Sequence, residues 1–282
     1  MNKINRLIKA IKILIVNNSS LINAISSIEG KIEIIISNAK GSYYVYDSNN
    51  HWHTIECGVR CISELYLISK KVCSEYLSNS DFQQILDNTS FQNTSLHIEH
   101  FEINEDKRIS PVPSEILEDS GFLSGKELSN VDKLVIFAFA YSLFHEIGHA
   151  IYNKQINNEM EREKIADQFS FEMGKALDEN YNKGNNCCLY GLFIGISQML
   201  LTRNYQEEKD DVKHPHSIER IYNLLNFWGI QNESPLWKLA YKVVCEWSTK
   251  NSIHMCWEKE TSKLYKDKFI DAYMYFRKGT LE

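Results

Sequence analysis

The stretch Asp132–Tyr152, DKLVIFAFAYSLFHEIGHAIY, decides how the rest of this chain is interpreted. Residues 134–144 are apolar almost all round, which predicts a helix buried in a hydrophobic core. The stretch then places His145, Glu146 and His149 in the order H-E-x-x-H. Because helical residues four apart lie on the same face, the two histidines can bind one metal ion. The glutamate can then reach a metal-bound water without being a ligand itself.

A buried helix carries ionisable groups only at a cost, unless something pairs with them. A metal ion is the simplest partner for His145 and His149, and the alternative is two core histidines satisfied by ordinary hydrogen bonds. A hydrolytic zinc site needs three protein ligands and one open position for water. The motif therefore predicts one Zn²⁺ ion and requires a third ligand from elsewhere in the chain.

The third ligand is expected on the next helix, whose sequence at 161–167 is EREKIAD. Glu163 and Asp167 are four apart and share a face, and Ala166 is small enough to let two helices approach closely. We predict that Glu163 is the third ligand and that Asp167 accepts the free N–H of one zinc-bound histidine, which fixes its tautomer. Asp167 or Glu161 could replace Glu163 as the ligand. The alternative without a metal is an acidic, solvated helix face.

A site of this kind suits peptide hydrolysis. Two neutral histidines and one carboxylate leave the zinc ion with a net positive charge, so the pKa of its water falls to about 7. Glu146 would take the proton as general base while the hydroxide attacks a peptide carbonyl, and would then pass it to the leaving amine. The carbonyl oxygen becomes an anion, which usually needs a further hydrogen-bond donor besides the zinc ion.

A candidate for that donor lies downstream, in the stretch KHPHSIERI at 213–221. His214 stands directly before a proline that stiffens the start of a predicted helix, so it could point into the cleft. Arg220 could brace Glu163 or Asp167. The alternatives are an ordinary loop histidine and a surface arginine, and the sequence alone leaves both open.

The composition describes an ordinary globular protein. The chain has 282 residues, of which 43% are hydrophobic and 24% are charged, so it can bury a substantial core and is expected to form one domain. A net charge of −6 gives no support for nucleic-acid binding, which usually requires a basic excess. Only four prolines and twelve glycines favour a mainly helical chain.

The cysteines predict reduced thiols and a cytoplasmic protein, because no disulfide framework is recognisable. The stretch HWHTIECGVRC at 51–61 contains four metal-ligand types but lacks a C-x-x-C pair, so a strand that runs into a helix is favoured over a metal cluster. The chain has seven cysteines at irregular spacings: Cys57, Cys61, Cys73, Cys187, Cys188, Cys245 and Cys256.

The N-terminal segment 4–15 predicts an amphipathic helix, with apolar residues on one face and basic residues interspersed. Lys9 and Lys12 interrupt any signal-peptide core. Two alternatives remain: a helix packed on the domain, which is favoured, and a basic helix resting on anionic lipid. The longest apolar stretches, at 134–144 and 187–201, are shorter than a membrane span.

Strands are predicted in the first half of the chain and helices in the second. Two strands are expected around the turn at 38–41, and a loop rich in proline, glycine and charge is expected at 105–126. Ser129 and Asp132 form an S-x-x-D capping box before the H-E-x-x-H helix. The predicted strands are 31–37, 42–47 and 96–103. The further predicted helices are 62–77, 159–177, 187–202, 217–227, 236–249 and 264–277, with a charged, solvated loop at 204–213.

Four stretches together resemble the phage-exclusion Lit peptidases, a family of bacterial H-E-x-x-H zinc metallopeptidases. The match in order and approximate spacing covers residues 135 to about 223, and a weaker similarity lies near Ile34. The last 55 or so residues show no specific similarity. The stretches are the helix ending in HEIGH, the EREKIAD helix, the apolar CCLYGLFIGISQMLL helix and HPHSIERIY.

The resemblance implies a fold, a metal site and a biological role. It implies a zincin-like (gluzincin) fold in which His145 and His149 match the metal-binding histidines and Glu146 the catalytic glutamate. By position, Glu163 and Asp167 fall on the family's E-x-x-A-D pattern. The remaining matches, to the family's H-P…E-R-I pattern, are His214, Pro215 and Arg220; His216 has no recognised counterpart.

The same resemblance implies an abortive-infection protease that cleaves host translation elongation factor Tu when a phage-derived protein or peptide activates it. Two other functions stay open. One is an anti-repressor protease of the ImmA/IrrE type, against which the H-P…E-R-I stretch argues. The other is a zinc domain that binds a partner without hydrolysis, against which Glu146 argues, because a purely structural site does not need that carboxylate.

The predicted fold class is therefore α+β, predominantly helical and zincin-like, with a small N-terminal β-sheet and a C-terminal helical region. We expect a single peptidase domain over 1–282. Its parts are an N-terminal helix and sheet region at 1–104, a catalytic helical core at 128–228, and C-terminal helices at 229–282.

Overall fold

The chain folds mostly into helices, with one small sheet near its N-terminus. A computed structural model describes residues 3–16, 18–37, 39, 41–76, 101–105, 123, 128–152, 156–181, 187–253 and 264–279. The described strands are β1 (Lys31–Ser37), β2 (Tyr43–Asp47), β3 (Trp52–Gly58) and β4 (Phe101–Glu105). The described helices are α1 (Lys3–Val16), α2 (Ser19–Ser26), α3 (Ile62–Tyr76), α4 (Asn130–Tyr152), α5 (Glu159–Tyr181), α6 (Cys187–Thr202), α7 (Tyr205–Asp210), α8 (Ser217–Phe227), α9 (Pro235–Lys250) and α10 (Tyr265–Gly279).

The chain divides into two compact units, Met1–Gly195 and Ile196–Glu282. The first unit contains the sheet and helices α1 to α5, and the division falls within α6. The second unit contains α7 to α10. The expectation of an α+β, predominantly helical chain with a small N-terminal sheet is confirmed. The zincin-like assignment and the predicted subdivision into 1–104, 128–228 and 229–282 remain predictions.

The sheet of the first unit has the strand order β2-β3-β1-β4. Strand β1 pairs in parallel with β3 and β4, and β2 pairs antiparallel with β3. The strands predicted at 31–37 and 42–47 are present, but they do not pair with each other, because β3 lies between them. The apolar run in β1 leaves Ile34, Ile35 and Ile36 at most 4% exposed, as a central strand requires. The alternating exposure of β2 is typical of an edge strand.

The stretch at 51–61 is a strand that runs into a helix, as predicted, and not a metal cluster among the described residues. His53 is 4% exposed, and its ring nitrogens lie 2.7 Å from the Tyr44 hydroxyl and 3.0 Å from the Glu29 carbonyl oxygen. Cys57 is buried in β3. The strand predicted at 96–103 is described only from Phe101, and the predicted loop at 105–126 lies almost wholly outside the described residues.

Helix α1 is amphipathic and contacts α2, α4 and β4. Its apolar residues Leu7, Ile11 and Leu14 are at most 1% exposed, whereas Lys9 and Lys12 are exposed. The apolar face is therefore covered by the protein itself, which is what the packed alternative for this helix requires.

Helix α4 begins at the predicted capping box. Ser129 Oγ accepts a hydrogen bond of 3.1 Å from the Asp132 backbone N–H, and Asp132 Oδ2 accepts one of 2.8 Å from the Ser129 backbone N–H. This reciprocal pair satisfies N–H groups that the first turn of a helix leaves without partners. Asp132 Oδ1 also accepts a hydrogen bond of 2.9 Å from the Leu123 backbone N–H, so Leu123 is held at the first turn of the helix.

Among the described helices, α4 alone is long and apolar enough to cross a membrane, and 83% of its most apolar window is buried inside the fold. Helices α1 and α2 reach the required length and hydropathy only when they are taken together, and the chain bends by 90° between them. The core helix of a folded domain passes this test as readily as a membrane span, so the finding is weak evidence for a membrane.

Helices α4 and α5 pack against each other at very short range. A Cβ atom added to Gly148 would lie 3.0 Å from the Cα atom of Ala166 and 3.3 Å from Phe169 Cβ. Helix α6 approaches α4 as closely, because a Cβ atom at Gly191 would lie 2.2 Å from Phe137 Cβ. Small residues at these points let the backbones meet, as predicted for Ala166.

The solvated loop predicted at 204–213 is wrong in part, because residues 205–210 form α7. Asn204 and Glu207 form a capping box for this short helix. The many charged residues of the segment favour a loop in the sequence and hide this helix signal. Glu208 is only 3% exposed and accepts hydrogen bonds of 2.9 Å and 2.6 Å from the Ser217 N–H and Oγ. The carboxylate of Glu208 therefore binds the first residue of α8 and does not face solvent, which is favourable at a helix N-terminus.

Candidate metal centre

His145 and His149 of α4 and Glu163 of α5 converge on one point inside the first unit. Glu163 Oε2 lies 3.2 Å from His145 Nε2, and Glu163 Oε1 lies 3.1 Å from His149 Nε2. The two Nε2 atoms are 3.0 Å apart. The side chains of His145, His149 and Glu163 are 9, 17 and 13% exposed, so the group is largely buried with a partly open side.

The arrangement follows from the helical period. His145 and His149 are separated by four residues and therefore stand one above the other on the same face of α4. The close approach at Gly148 lies between them in the chain, so it brings α5 to this face and the carboxylate of Glu163 to both rings. Among the residues that the structure describes, this is the one group of three or more His, Cys, Asp or Glu side chains whose donor atoms meet.

The spacing of the donor atoms on these three side chains fits a zinc ion. Zinc binds imidazole nitrogen and carboxylate oxygen at about 2.0–2.2 Å in tetrahedral sites, which places neighbouring ligand atoms about 3.3 Å apart. The two Nε2 atoms are 3.0 Å apart, and the two carboxylate oxygens of Glu163 lie 3.1 Å and 3.2 Å from one ring each, so every distance falls at most a few tenths of an ångström below that value. Two nitrogens and one oxygen are also a ligand set that suits zinc and leaves a fourth position for water.

The charges at this point favour a cation. Asp167 Oδ1 lies 3.0 Å from His145 Nδ1, so the proton of that imidazole belongs on Nδ1 and the lone pair on Nε2. That lone pair faces the nitrogen of His149 and the carboxylate of Glu163 at about hydrogen-bond distance. A buried lone pair opposite a carboxylate is unfavourable unless a proton or a metal ion lies between them.

The three acidic residues weighed as the third ligand take different places. Glu163 is the one that joins both histidines. Asp167 is 5% exposed and lies one layer outside, against His145 Nδ1, where it was expected to accept the N–H of a histidine. Glu161 is exposed on the outer side of α5, and its backbone N–H donates to Asn158 Oδ1 at 3.1 Å.

Tyr141 was overlooked in the sequence. It is 1% exposed, and its hydroxyl donates a hydrogen bond of 2.7 Å to Asp167 Oδ1, the same oxygen that faces His145. The signal that could have found it is its position four residues before His145, on the same helix face. In a helix that is apolar almost all round, one phenol among aliphatic and phenylalanine side chains requires a polar partner.

Glu146 is 8% exposed and is not one of the converging donors. It lies close to the end of β3. Burial raises the pKa of the Cys57 thiol far above its usual range, and the negative charge of Glu146 raises this pKa further. Glu146 directly follows His145 in α4, and its role as general base remains a prediction.

The two other predicted residues, His214 and Arg220, belong to the second unit. His214 Nδ1 lies 2.7 Å from Asp211 Oδ1, and its side chain is 40% exposed. Arg220 is 2% exposed, and its Nε donates to the Pro215 carbonyl oxygen at 3.3 Å. His216 caps α8, where its Nδ1 accepts a hydrogen bond of 3.2 Å from the Ile218 N–H. The catalytic and bracing roles predicted for His214 and Arg220 remain predictions.

Comparison with protein families gives one match. The model of a family described as Peptidase U49 matches residues 79–240, which is more than half of the 282 residues. The matched range contains α4, α5 and all three converging side chains. Comparison with curated proteins and with solved structures found no match.

Proposed function

Because the chain belongs to the Peptidase U49 family and is thereby a peptidase, we propose that it is a zinc-dependent endopeptidase that hydrolyses a peptide bond in a protein substrate. The single observation that carries the metal dependence is the meeting of His145, His149 and Glu163 with donor atoms 3.0–3.2 Å apart. The alternative, in which protons on the imidazole rings join these atoms by hydrogen bonds, predicts the same contacts but a purified protein without zinc.

His145, His149 and Glu163 would hold the ion. When bound, zinc supplies Lewis acidity, which makes a water molecule acidic near neutral pH and polarises a peptide carbonyl. Asp167 accepts the Nδ1 proton of His145, so that Nε2 is the nitrogen available to the metal. The burial of the group lowers the local dielectric constant and strengthens each electrostatic contact within it.

Glu146 is proposed as the general base. Its carboxylate takes a proton from the attacking water and later delivers that proton to the nitrogen of the leaving amine. The cleaved bond is the amide C–N bond, and the water is divided between the new carboxyl group and the new amine. Its burial to 8% exposure, next to Cys57, supports a carboxylate held in a dry environment where proton transfer is efficient.

His214 is proposed as a hydrogen-bond donor to the carbonyl oxygen during hydrolysis, and Arg220 as a brace for Glu163 or Asp167. The support is the H-P…E-R-I pattern of the family that the sequence resembles. The contact between His214 Nδ1 and Asp211 Oδ1, at 2.7 Å, adds to it because it fixes the orientation of the imidazole ring.

The biological role is proposed to be bacterial phage defence by abortive infection, with cytoplasmic elongation factor Tu as the substrate and a phage-derived protein or peptide as the activator. The support is the resemblance to the Lit peptidases, which are in the matched family. No direct nucleic-acid contact is proposed, since the net charge of −6 disfavours it.

The experiment is terminal proteomics of bacterial cells that express the wild type beside Glu146→Gln, before and after phage infection. New protein termini that appear only with the wild type, and foremost within elongation factor Tu, are expected. A cleaved transcriptional repressor instead would favour the ImmA/IrrE-type activity. Identical termini in both cultures, with zinc bound to both proteins, would favour a non-catalytic zinc domain.

A further inference from the structure

Tyr141 and His145 meet at one oxygen atom of Asp167. The Tyr141 hydroxyl donates to Asp167 Oδ1 at 2.7 Å, and His145 Nδ1 lies 3.0 Å from the same atom. All three residues are at most 7% exposed. A carboxylate oxygen can accept both hydrogen bonds, and together the two donors fix the direction in which the carboxylate points.

The ring of Tyr141 is itself held rigidly by α6. A Cβ atom added to Gly195 would lie 3.3 Å from the Cβ and Cδ1 atoms of Tyr141 and 2.8 Å from the Ala138 carbonyl oxygen. The α6 backbone therefore lies directly against the ring. Because a tyrosine has only two side-chain torsions, packing at its base also fixes the position of its hydroxyl.

The contact matters because Asp167 has two possible uses. It shares a face of α5 with Glu163, so the sequence allows either residue as the metal ligand. In the observed orientation it points to His145 Nδ1 and is not among the converging donors. The hydroxyl of Tyr141 holds it in this outer layer, where it orients the ring of His145.

We propose that Tyr141 is a positioning residue of the metal centre, whose hydroxyl fixes Asp167 and, through it, the ring of His145. The inference rests on the proposed function, since it assumes that His145, His149 and Glu163 bind zinc. It assigns no contact between Tyr141 and the substrate. The expected effect is therefore on metal binding, and it depends on the presence of Asp167.

A double-mutant cycle on zinc affinity tests this, with competition by a chromogenic chelator as the measurement. Tyr141→Phe keeps the ring and removes the hydroxyl, and we expect zinc affinity to fall about 3- to 10-fold. Asp167→Ala, which removes the acceptor oxygen, should cost about 10- to 100-fold, as the loss of a hydrogen-bond partner of a zinc-bound histidine does. The double variant should bind zinc about as well as Asp167→Ala alone, because Tyr141 then has no carboxylate to hold.

Ser170→Ala is the matched control. Ser170 is buried one turn along α5 and donates to backbone carbonyl oxygens of Tyr141 and Ala166 at 3.3 and 3.1 Å. Its loss removes a hydroxyl from the same helix interface without touching Asp167, so zinc affinity should stay within about twofold of the wild type. Tyr141→Met, which keeps the apolar contact, replaces Tyr141→Phe if the latter does not fold.

The outcomes separate the two claims. Wild-type zinc affinity in Tyr141→Phe, or an equal loss in the presence and absence of Asp167, would overturn the positioning role while leaving the metal centre intact. A wild-type protein that binds no zinc would overturn the proposed function itself.

Discussion

Gly148 and Ala166 face each other where α4 packs on α5, so closely that a Cβ atom at Gly148 would lie 3.0 Å from the Cα atom of Ala166. The turn of α4 around Gly148 carries both histidines of the proposed metal centre, and α5 carries Glu163 three residues before Ala166. The short approach of the two backbones therefore sets the distance between the imidazoles and the carboxylate.

Gly148→Val should separate the two helices and weaken zinc binding. Overpacking a well-packed interface costs about 1–3 kcal/mol, which exceeds the gain of a few tenths of a kcal/mol from replacing a helical glycine by valine. We expect the free energy of unfolding to fall by about 2 kcal/mol, measured by urea denaturation, with a parallel loss of zinc affinity. Gly41→Ala is the control, since a Cβ atom there meets nothing within 4 Å. Equal stability of Gly148→Val and the wild type would contradict the packing argument.

Glu163→Ala should abolish tight zinc binding. Loss of an inner ligand costs more than loss of an outer partner, so we expect affinity to fall by more than about 100-fold in the chelator competition. Glu161→Ala is the matched control, because Glu161 lies on the same helix but is exposed and outside the converging group. A Glu163→Ala protein with wild-type affinity would assign the third ligand elsewhere.

Glu146→Gln should separate metal binding from catalysis. The amide cannot act as a base, so we expect peptidase activity to fall by at least about 100-fold. Zinc content, measured by mass spectrometry of the purified protein, should be unchanged because Glu146 is not among the converging donors. Retained cleavage would rule out Glu146 as the base, and loss of zinc would make it a ligand.

Cys57 should resist alkylation in the folded protein. Burial, together with the charge of Glu146, raises the pKa of its thiol, so the neutral form persists well above pH 8 and no reactive thiolate forms. Iodoacetamide at pH 8 should label Cys57 only after denaturation, as read by peptide mass spectrometry. Cys245 of α9, which is partly exposed, provides a comparison site within the same chain. Rapid labelling of Cys57 under native conditions would show that β3 is open to solvent.

The helical half of the chain could be predicted closely because its signals are local. The S-x-x-D box at Ser129 and the apolar run after it define α4, and the i, i+4 spacing of the motif places both histidines on one face. Glu163 followed from the same rule applied to α5. In each case the necessary information lies within about one turn of helix.

The remaining features depend on contacts that are distant in sequence. Tyr141 meets Asp167 across 26 positions; its place four residues before His145 indicates the shared face of α4, but not which residue of α5 lies opposite. Strand β3 lies between β1 and β2 in the sheet. This central position favours a strand that is buried on both faces, and that burial depends on elements distant in sequence. The burial of Glu208 cannot be predicted from its charged neighbours, because it depends on Ser217, nine residues later.

The most direct test of the account is zinc K-edge X-ray absorption on the purified wild-type protein, combined with its metal content. The proposed metal centre predicts one zinc ion per chain, coordinated by two imidazole nitrogens and by carboxylate or water oxygen, with no sulfur ligand. A protein without zinc, or a zinc ion bound by thiolate from Cys57 or Cys61, would contradict the claim that α4 and α5 hold the metal.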